Sequence, residues 1–198
     1  MTGQQLEQCF GSGFSPVRAI TGFNNPALNR PSAAVSAPMA DVSEQQHVVD
    51  ATFTGGTLTI APSATGDGLW VPYLGNGTGV VGAKGWGTYT QDVTSHSWVA
   101  TGPFSGCFVA AFAGGAGKRF AHLITPAGGY TAATVDEQIA AITAATGAGS
   151  FEKWPMNGVG LGIAFFMKIG GGWCRRFAWV APGAGMVMQM NAKSTPIS

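Results

Sequence analysis

The chain has 198 residues, a formal net charge of +1 and only 10% charged residues, against roughly 25% in an average soluble domain. Its ten Lys and Arg are scattered, with Lys118-Arg119 and Arg175-Arg176 as the tight pairs, which excludes a nucleic-acid stripe and a polybasic membrane patch. No apolar run approaches the roughly 18 residues of a membrane span.

The length suits one domain with a substantial core. Twelve Phe, six Trp and a 45% hydrophobic fraction supply buried surface, while 31 Gly and 11 Pro favour short strands and many turns over long helices. Met1 to Phe14 lacks a basic segment followed by an apolar one, so no cleaved secretory signal is expected. Three widely spaced cysteines, Cys9, Cys107 and Cys174, make neither a disulfide framework nor a zinc-ligand pattern. They read as free thiols in a reducing compartment.

Residues 1–45 are rich in Ser, Ala, Pro, Asn and Gln and read as a lightly structured lead-in, with one or two helical turns over Gln4–Cys9 and loop from Gly22 to Ala40. Residues 46–198 form the main domain. His47–Phe53 and Thr57–Ala61 are two strands joined at Gly55-Gly56. Leu69–Tyr73 is a short strand whose Pro72 marks a sheet edge or a strand end. A Gly-rich loop over Gly75–Gly87 follows, then a strand at Ser97–Thr101. Cys107–Ala113 is a continuous apolar strand, which predicts burial on both faces, and Arg119–Thr125 returns from a turn at Gly114–Gly117. Thr134 and Glu137 have the spacing of a capping box for one helix that ends at Gly147. Val159–Ile169, Trp173–Val180 and Met186–Met190 complete the strands, with Gly170-Gly171-Gly172 turning between the first two. The class is α+β, mostly β: a stacked pair of sheets with one or two helices outside. A doubly wound fold is disfavoured, because regular helices do not separate the strands.

Several motif-like stretches lack their required context. Gly77-x-Gly79-x-x-Gly82 matches a dinucleotide fingerprint, but Ala83-Lys84-Gly85-Trp86-Gly87 will not open the helix that it needs. Gly114-Gly115-Ala116-Gly117-Lys118 resembles a phosphate loop, yet Phe112 stands where the first Gly belongs and Arg119 where Ser or Thr does. Cys9 in Gln8-Cys9-Phe10-Gly11-Ser12 lacks the helix of a papain-type nucleophile, since Pro16 follows too soon. Cys174, in an apolar strand, reads as a small core residue. The sequon Asn76-Gly77-Thr78 carries meaning only on a secretory route. His47 and His96 read as ordinary surface or core histidines, His96 ranking below His122.

The remaining chemistry centres on Cys107. Thr101 lies six residues before it and His122 fifteen after, on successive strands joined by the Gly114–Gly117 turn. If that turn closes a hairpin, paired residues sum to about 231. Cys107 then falls near Ile124, and His122 becomes a diagonal neighbour on the same face, with Cα atoms about 7–8 Å apart. A nearby imidazole can take a thiol proton and create the thiolate nucleophile. Ser105-Gly106 lets the backbone turn sharply, so that N–H groups beside the sulfur can form an oxyanion hole. No Asp or Glu lies in this stretch to orient the imidazole, which leaves a backbone carbonyl or the Thr101 hydroxyl. Taken singly, an inert core Cys and a satisfied strand His are the ordinary readings; the combination favours a Cys-His pair.

Thr101-Gly102-Pro103-Phe104-Ser105-Gly106-Cys107, followed by His122, resembles the active-site segment of the bacterial glutamine-deamidase toxins, the catalytic domain of cytotoxic necrotizing factor and the smaller Burkholderia lethal factor. Their pattern is a hydrophobic residue, Ser, Gly and Cys, then a His on the next strand. Phe104 stands where Leu is usual, and Thr101 matches a Thr of the lethal-factor branch. Leu69-Trp70-Val71-Pro72-Tyr73 is similar to another strand of the lethal factor. The resemblance covers roughly residues 57 to 126. It implies two mixed sheets packed as a sandwich with outlying helices and long Gly-rich loops, with catalytic Cys107, His122 and Thr101, backbone roles for Ser105 and Gly106, and neither metal nor cofactor. It also implies a monomeric toxin or effector delivered by a bacterium to host cytoplasm, where it deamidates a glutamine of a host protein (a GTPase or a translation factor). The alternatives are a non-enzymatic β-sandwich binding module, and a cysteine peptidase or transglutaminase built on the same pair.

Overall fold

A computed structural model of the chain describes residues 1–11, 17–29, 42–73, 87–115, 117–125, 132–183, 185–191 and 194–198. The dinucleotide-like glycines, the sequon at Asn76 and most of the Gly75–Gly87 loop lie outside these residues.

The fold is mostly β, with two mixed sheets and two described helices. The larger sheet places β1 (Ala19–Thr21), β4 (Thr57–Pro62), β3 (His47–Thr54), β5 (Gly68–Val71), β7 (Trp98–Phe104), β11 (Leu161–Ile169), β12 (Gly172–Val180) and β13 (Val187–Met190) side by side, with β14 (Thr195–Pro196) also on β12. The smaller runs β10 (Ser150–Pro155), β8 (Phe108–Ala113), β9 (Arg119–Leu123), β6 (Gly87–Tyr89) and β2 (Val42–Glu44). Pairs β1–β4, β5–β7 and β2–β6 are parallel and the other pairs antiparallel. The short strand at Leu69 is therefore interior to its sheet, between β3 and β7, and Pro72 falls just past its end. There a proline deprives no ladder of a donor.

Three apolar clusters give the layer order. Between the sheets lie Leu69, Val71, Val99, Ala164 and Phe166 from the larger one and Val109, Ala111 and Phe120 from the smaller. Strand alternation sends the intervening residues outward. On the larger sheet these are Trp70, Trp98, Ala100 and Phe165, which pack with Leu6 and Phe10 of helix α1 (Gly3–Phe10). On the smaller they are Ala110, Phe112, Ala121 and Leu123, which pack with Val135, Ile139 and Ile142 of helix α2 (Ala132–Thr146). The apolar run through β8 is thus buried on both faces, against the other sheet and against α2.

Local chemistry accounts for the joints. Gly55-Gly56 and Gly170-Gly171 have φ of 58°, 84°, 57° and 87°, the left-handed pair that a two-residue type I′ hairpin requires. Helix α1 carries a capping box, in which Thr2 Oγ1 accepts from Gln5 N–H and Thr2 N–H donates to Gln5 Oε1 (3.2 and 2.8 Å). Thr134, in contrast, lies inside α2, which begins at Ala132. Gly147 ends that helix with φ of 68°, its N–H donating to the Thr143 carbonyl. From the segment before Gln46, the side chains of Leu6, Phe10, Ile20, Phe23 and Leu28 are buried in the outer core of the larger sheet.

Candidate functional site

The β8–β9 hairpin pairs Val109 with His122 and Phe108 with Leu123. Cys107 lies two residues before Val109, so it sits diagonally from His122. Both share the face turned toward the larger sheet, where Cys107 joins the inter-sheet core. The chain reaches Cys107 through the Ser105-Gly106 turn that ends β7. Gly106 has φ of 97° and open space where a Cβ would stand, so a larger residue there is opposed by backbone conformation rather than by collision.

Thr101 approaches from the opposite sheet. Its Oγ1 donates to the Val71 carbonyl at 2.8 Å and lies 2.9 Å from His122 Nδ1. A hydroxyl has one proton. Because Val71 takes it, Thr101 accepts at Nδ1, and His122 carries its proton on that nitrogen. Nε2 is left as a bare lone pair. That atom is buried and has no hydrogen-bond partner, the Cys107 thiol included. Phe104 stacks on the imidazole at 4.1 Å between ring centroids, and Tyr73 lies at 5.2 Å.

Burial sets the protonation states. His122 is 0% exposed, and desolvation pushes its pKa down to about 3. Cys107 is 7% exposed, and burial raises its thiol; hydrogen bonds from the backbone and side chain of Thr125 and the backbone of Ser105 oppose that rise. Both groups are neutral at pH 7. The resting pair is a thiol beside an imidazole, not a preformed thiolate–imidazolium pair.

The other candidates lie elsewhere. Cys9, a residue of α1, packs against the outer core, and Glu7 of that helix helps to raise the Cys174 thiol after burial has done so. His96 bonds Ser95 before the start of β7, and His47 opens β3 opposite Trp70. A groove of about 480 Å³, lined by Ile139, Ala140, Thr143 and Phe151, lies on the α2 side of the smaller sheet, away from Cys107. Among the described residues no group of His, Cys, Asp or Glu gathers to hold a metal, and no helix is long and apolar enough to cross a membrane.

Sequence reasoning missed three supports. Gln138 of α2 is buried and grips Ile124 on both sides, its Oε1 accepting from the N–H and its Nε2 donating to the carbonyl (3.1 and 2.8 Å). It thereby fixes the end of β9 opposite Cys107. Thr125 lies beside the thiol, where it opposes the rise that burial imposes, and its hydroxyl donates to the Gly106 carbonyl at 3.3 Å. Tyr73 stands against His122. Only Gln138 carried a local signal, a polar residue beside Ile139 on the apolar face of a helix.

No protein-family model, no curated protein and no solved structure matches the chain.

Proposed function

We propose that the protein is a cysteine-dependent deamidase that converts a glutamine side chain of a target protein to glutamate. The observation that carries this reading is the unpartnered Nε2 of His122, held as a lone pair by the Thr101 bond on the other nitrogen. A buried acceptor left unsatisfied is costly, and here it lies diagonally from a thiol. The resemblance of the Thr101–His122 segment to the glutamine-deamidase toxins supports the same chemistry and suggests a host protein as the target.

The steps follow from the protonation states. The Cys107 sulfur attacks the carboxamide carbon while Nε2 takes the thiol proton, so charge appears as the sulfur–carbon bond forms. Such catalytic hydrogen bonds commonly tighten only when substrate arrives. The oxyanion is received by N–H groups near the sulfur, in the Ser105–Cys107 turn and at Thr125. The carbon–nitrogen bond then breaks, and ammonia leaves with the proton from His122. Water, deprotonated by the same imidazole, hydrolyses the thioester to glutamate and restores the thiol. An amine in place of water gives transamidation.

The burial of Cys107 favours a competing reading, a binding module in which this thiol is an inert core residue. The two are separated by incubating wild type and Cys107→Ser with host-cell lysate, following ammonia release and glutamine-to-glutamate conversion by peptide mass spectrometry. Conversion by wild type alone at a defined glutamine is the expected result. New cleaved termini would indicate a peptidase. Identical lysates would favour the binding module.

A further inference from the structure

The mechanism above gives Tyr73 no task, yet its position is closely specified. Three successive backbone groups ending there are each held by a different side chain. The Val71 carbonyl accepts from Thr101 Oγ1 at 2.8 Å, the Pro72 carbonyl accepts from Thr88 Oγ1 at 2.8 Å, and the Tyr73 N–H donates to Asn29 Oδ1 at 3.3 Å. Thr101 belongs to the larger sheet and Thr88 to the smaller, where Thr88 is the cross-strand partner of His122. The segment is thus fixed against both sheets and against the imidazole. Its ring is tilted 31° to that of His122, on which Phe104 also stacks. Tyr73 is half-buried, whereas His122 is fully buried, so Tyr73 lies on the solvent side of the pair.

The donors around Cys107 can be counted. Thr101 spends its proton on Val71, and the one proton of the Thr125 hydroxyl is already engaged between the Gly106 carbonyl and the neighbourhood of the Cys107 sulfur. Phe104 has no donor, and the His122 N–H faces Thr101. Among the buried and half-buried side chains described at the site, the Tyr73 hydroxyl is the uncommitted donor. Burial, and then the charge that Cys107 carries as a thiolate, raise this phenol above its ordinary range. It is therefore a protonated donor at neutral pH, close enough to the sulfur to feel its charge.

We propose, resting on the Cys107–His122 reading above, that the Tyr73 hydroxyl donates to the oxygen of the substrate carboxamide and holds its carbonyl carbon over the Cys107 sulfur. Backbone N–H groups approach that oxygen from the Ser105 side and the phenol from the Tyr73 side. The residue selects for a carbonyl-bearing side chain and aligns it before the thiol loses its proton.

The test needs no knowledge of the target. In a full-length Cys9→Ser, Cys174→Ser background, Cys107 is the one thiol. Its reaction rate is measured with iodoacetamide, which carries a carboxamide, and with methyl methanethiosulfonate, a small reagent without a carbonyl. Tyr73→Phe keeps the ring and removes one neutral hydrogen bond, so it should slow iodoacetamide roughly five- to tenfold and leave the thiosulfonate rate unchanged. Equal slowing with both reagents would make Tyr73 a packing residue and overturn the assignment. Unchanged rates with both would also overturn it, while a loss of both rates in His122→Ala would leave the Cys-His reading standing. If His122→Ala changes neither rate, the Cys-His reading fails and the assignment falls with it. An unaltered thermal midpoint for Tyr73→Phe shows that the fold is retained.

Discussion

Between pH 6.5 and pH 4 the wild-type protein is expected to lose about 3 kcal/mol of stability more than a His122→Gln variant does, from a slope of about 1.4 kcal/mol per pH unit. The sign follows from the two states of the imidazole. Its pKa is about 3 when folded and 6.5 as a free side chain. Above pH 6.5 neither state binds the proton. Below it the unfolded chain does, and the folded chain refuses it until about pH 3, so acid draws the equilibrium toward unfolding. The titratable groups facing the imidazole, Cys107 and Tyr73, both have raised pKa values and stay neutral throughout. Asp50 and Glu152, whose carboxyls are held below their ordinary range by partners at the N-terminal amine and at Ser198, also cost stability in acid. They are present in both proteins and cancel in the comparison. Urea midpoints for the two proteins at half-unit pH steps give the measurement. Parallel pH curves would mean that His122 is not held neutral by burial.

Arg176→Ala is expected to destabilise the protein by about 3–5 kcal/mol, the usual result of stripping one partner from a buried charge network. Arg176 is 3% exposed. Its guanidinium donates to Glu7 Oε1 at 2.7 Å, to the Phe10 and Asn191 carbonyls at 3.2 Å each and to Ser194 Oγ at 3.3 Å. Ser194 closes the ring by donating to Glu7 Oε2 at 2.6 Å. The network ties helix α1 and the C-terminal segment to β12. Alanine takes the guanidinium from Oε1 of a partly buried carboxylate and from two carbonyls, and no lysine can restore five directed N–H groups. A urea midpoint that falls with an unchanged slope is the expected signature, and Arg176→Lys should recover only part of the loss. A change within 1 kcal/mol of wild type would show that water replaces the guanidinium at no cost.

How much of this was written in the chain depends on whether a local device set each contact. The Gly114–Gly117 turn fixes the register of β8 against β9, and register fixes which side chains share a face. The diagonal placement of Cys107 and His122 was therefore legible, as was double-sided burial from the unbroken apolar run Cys107–Ala113. The two-glycine hairpins were legible for the same reason. Tyr73 was not, because it depends on the parallel pairing of β5 with β7 and on side chains from Asn29 and Thr88, far away in sequence. Short strands such as Val42–Glu44 and Gly87–Tyr89 carry too few residues to show alternation, and the edge strand Ser150–Pro155 mixes Glu and Lys with Phe and Trp. Phe23 and Leu28 lie among Asn, Pro and Gly that rightly signal turns; turn conformation does not dictate exposure, and here the turns fold their apolar side chains inward.

The bond between Thr101 and His122 joins two different sheets. Its donor and acceptor belong to separate slabs that meet largely through apolar packing, such as the Phe120–Phe166 stack at 4.3 Å. Dispersion contacts tolerate a small slide of one slab over the other; a directed hydrogen bond at 2.9 Å does not. The imidazole tautomer is consequently a gauge of alignment. When the slabs are in register, Nε2 stays a bare lone pair. When they shift, the ring is free to move its proton to Nε2 and offer Cys107 a donor in place of a base. Under the proposed chemistry, competence would thereby depend on the alignment of the two sheets and not on the Cys107–His122 hairpin alone.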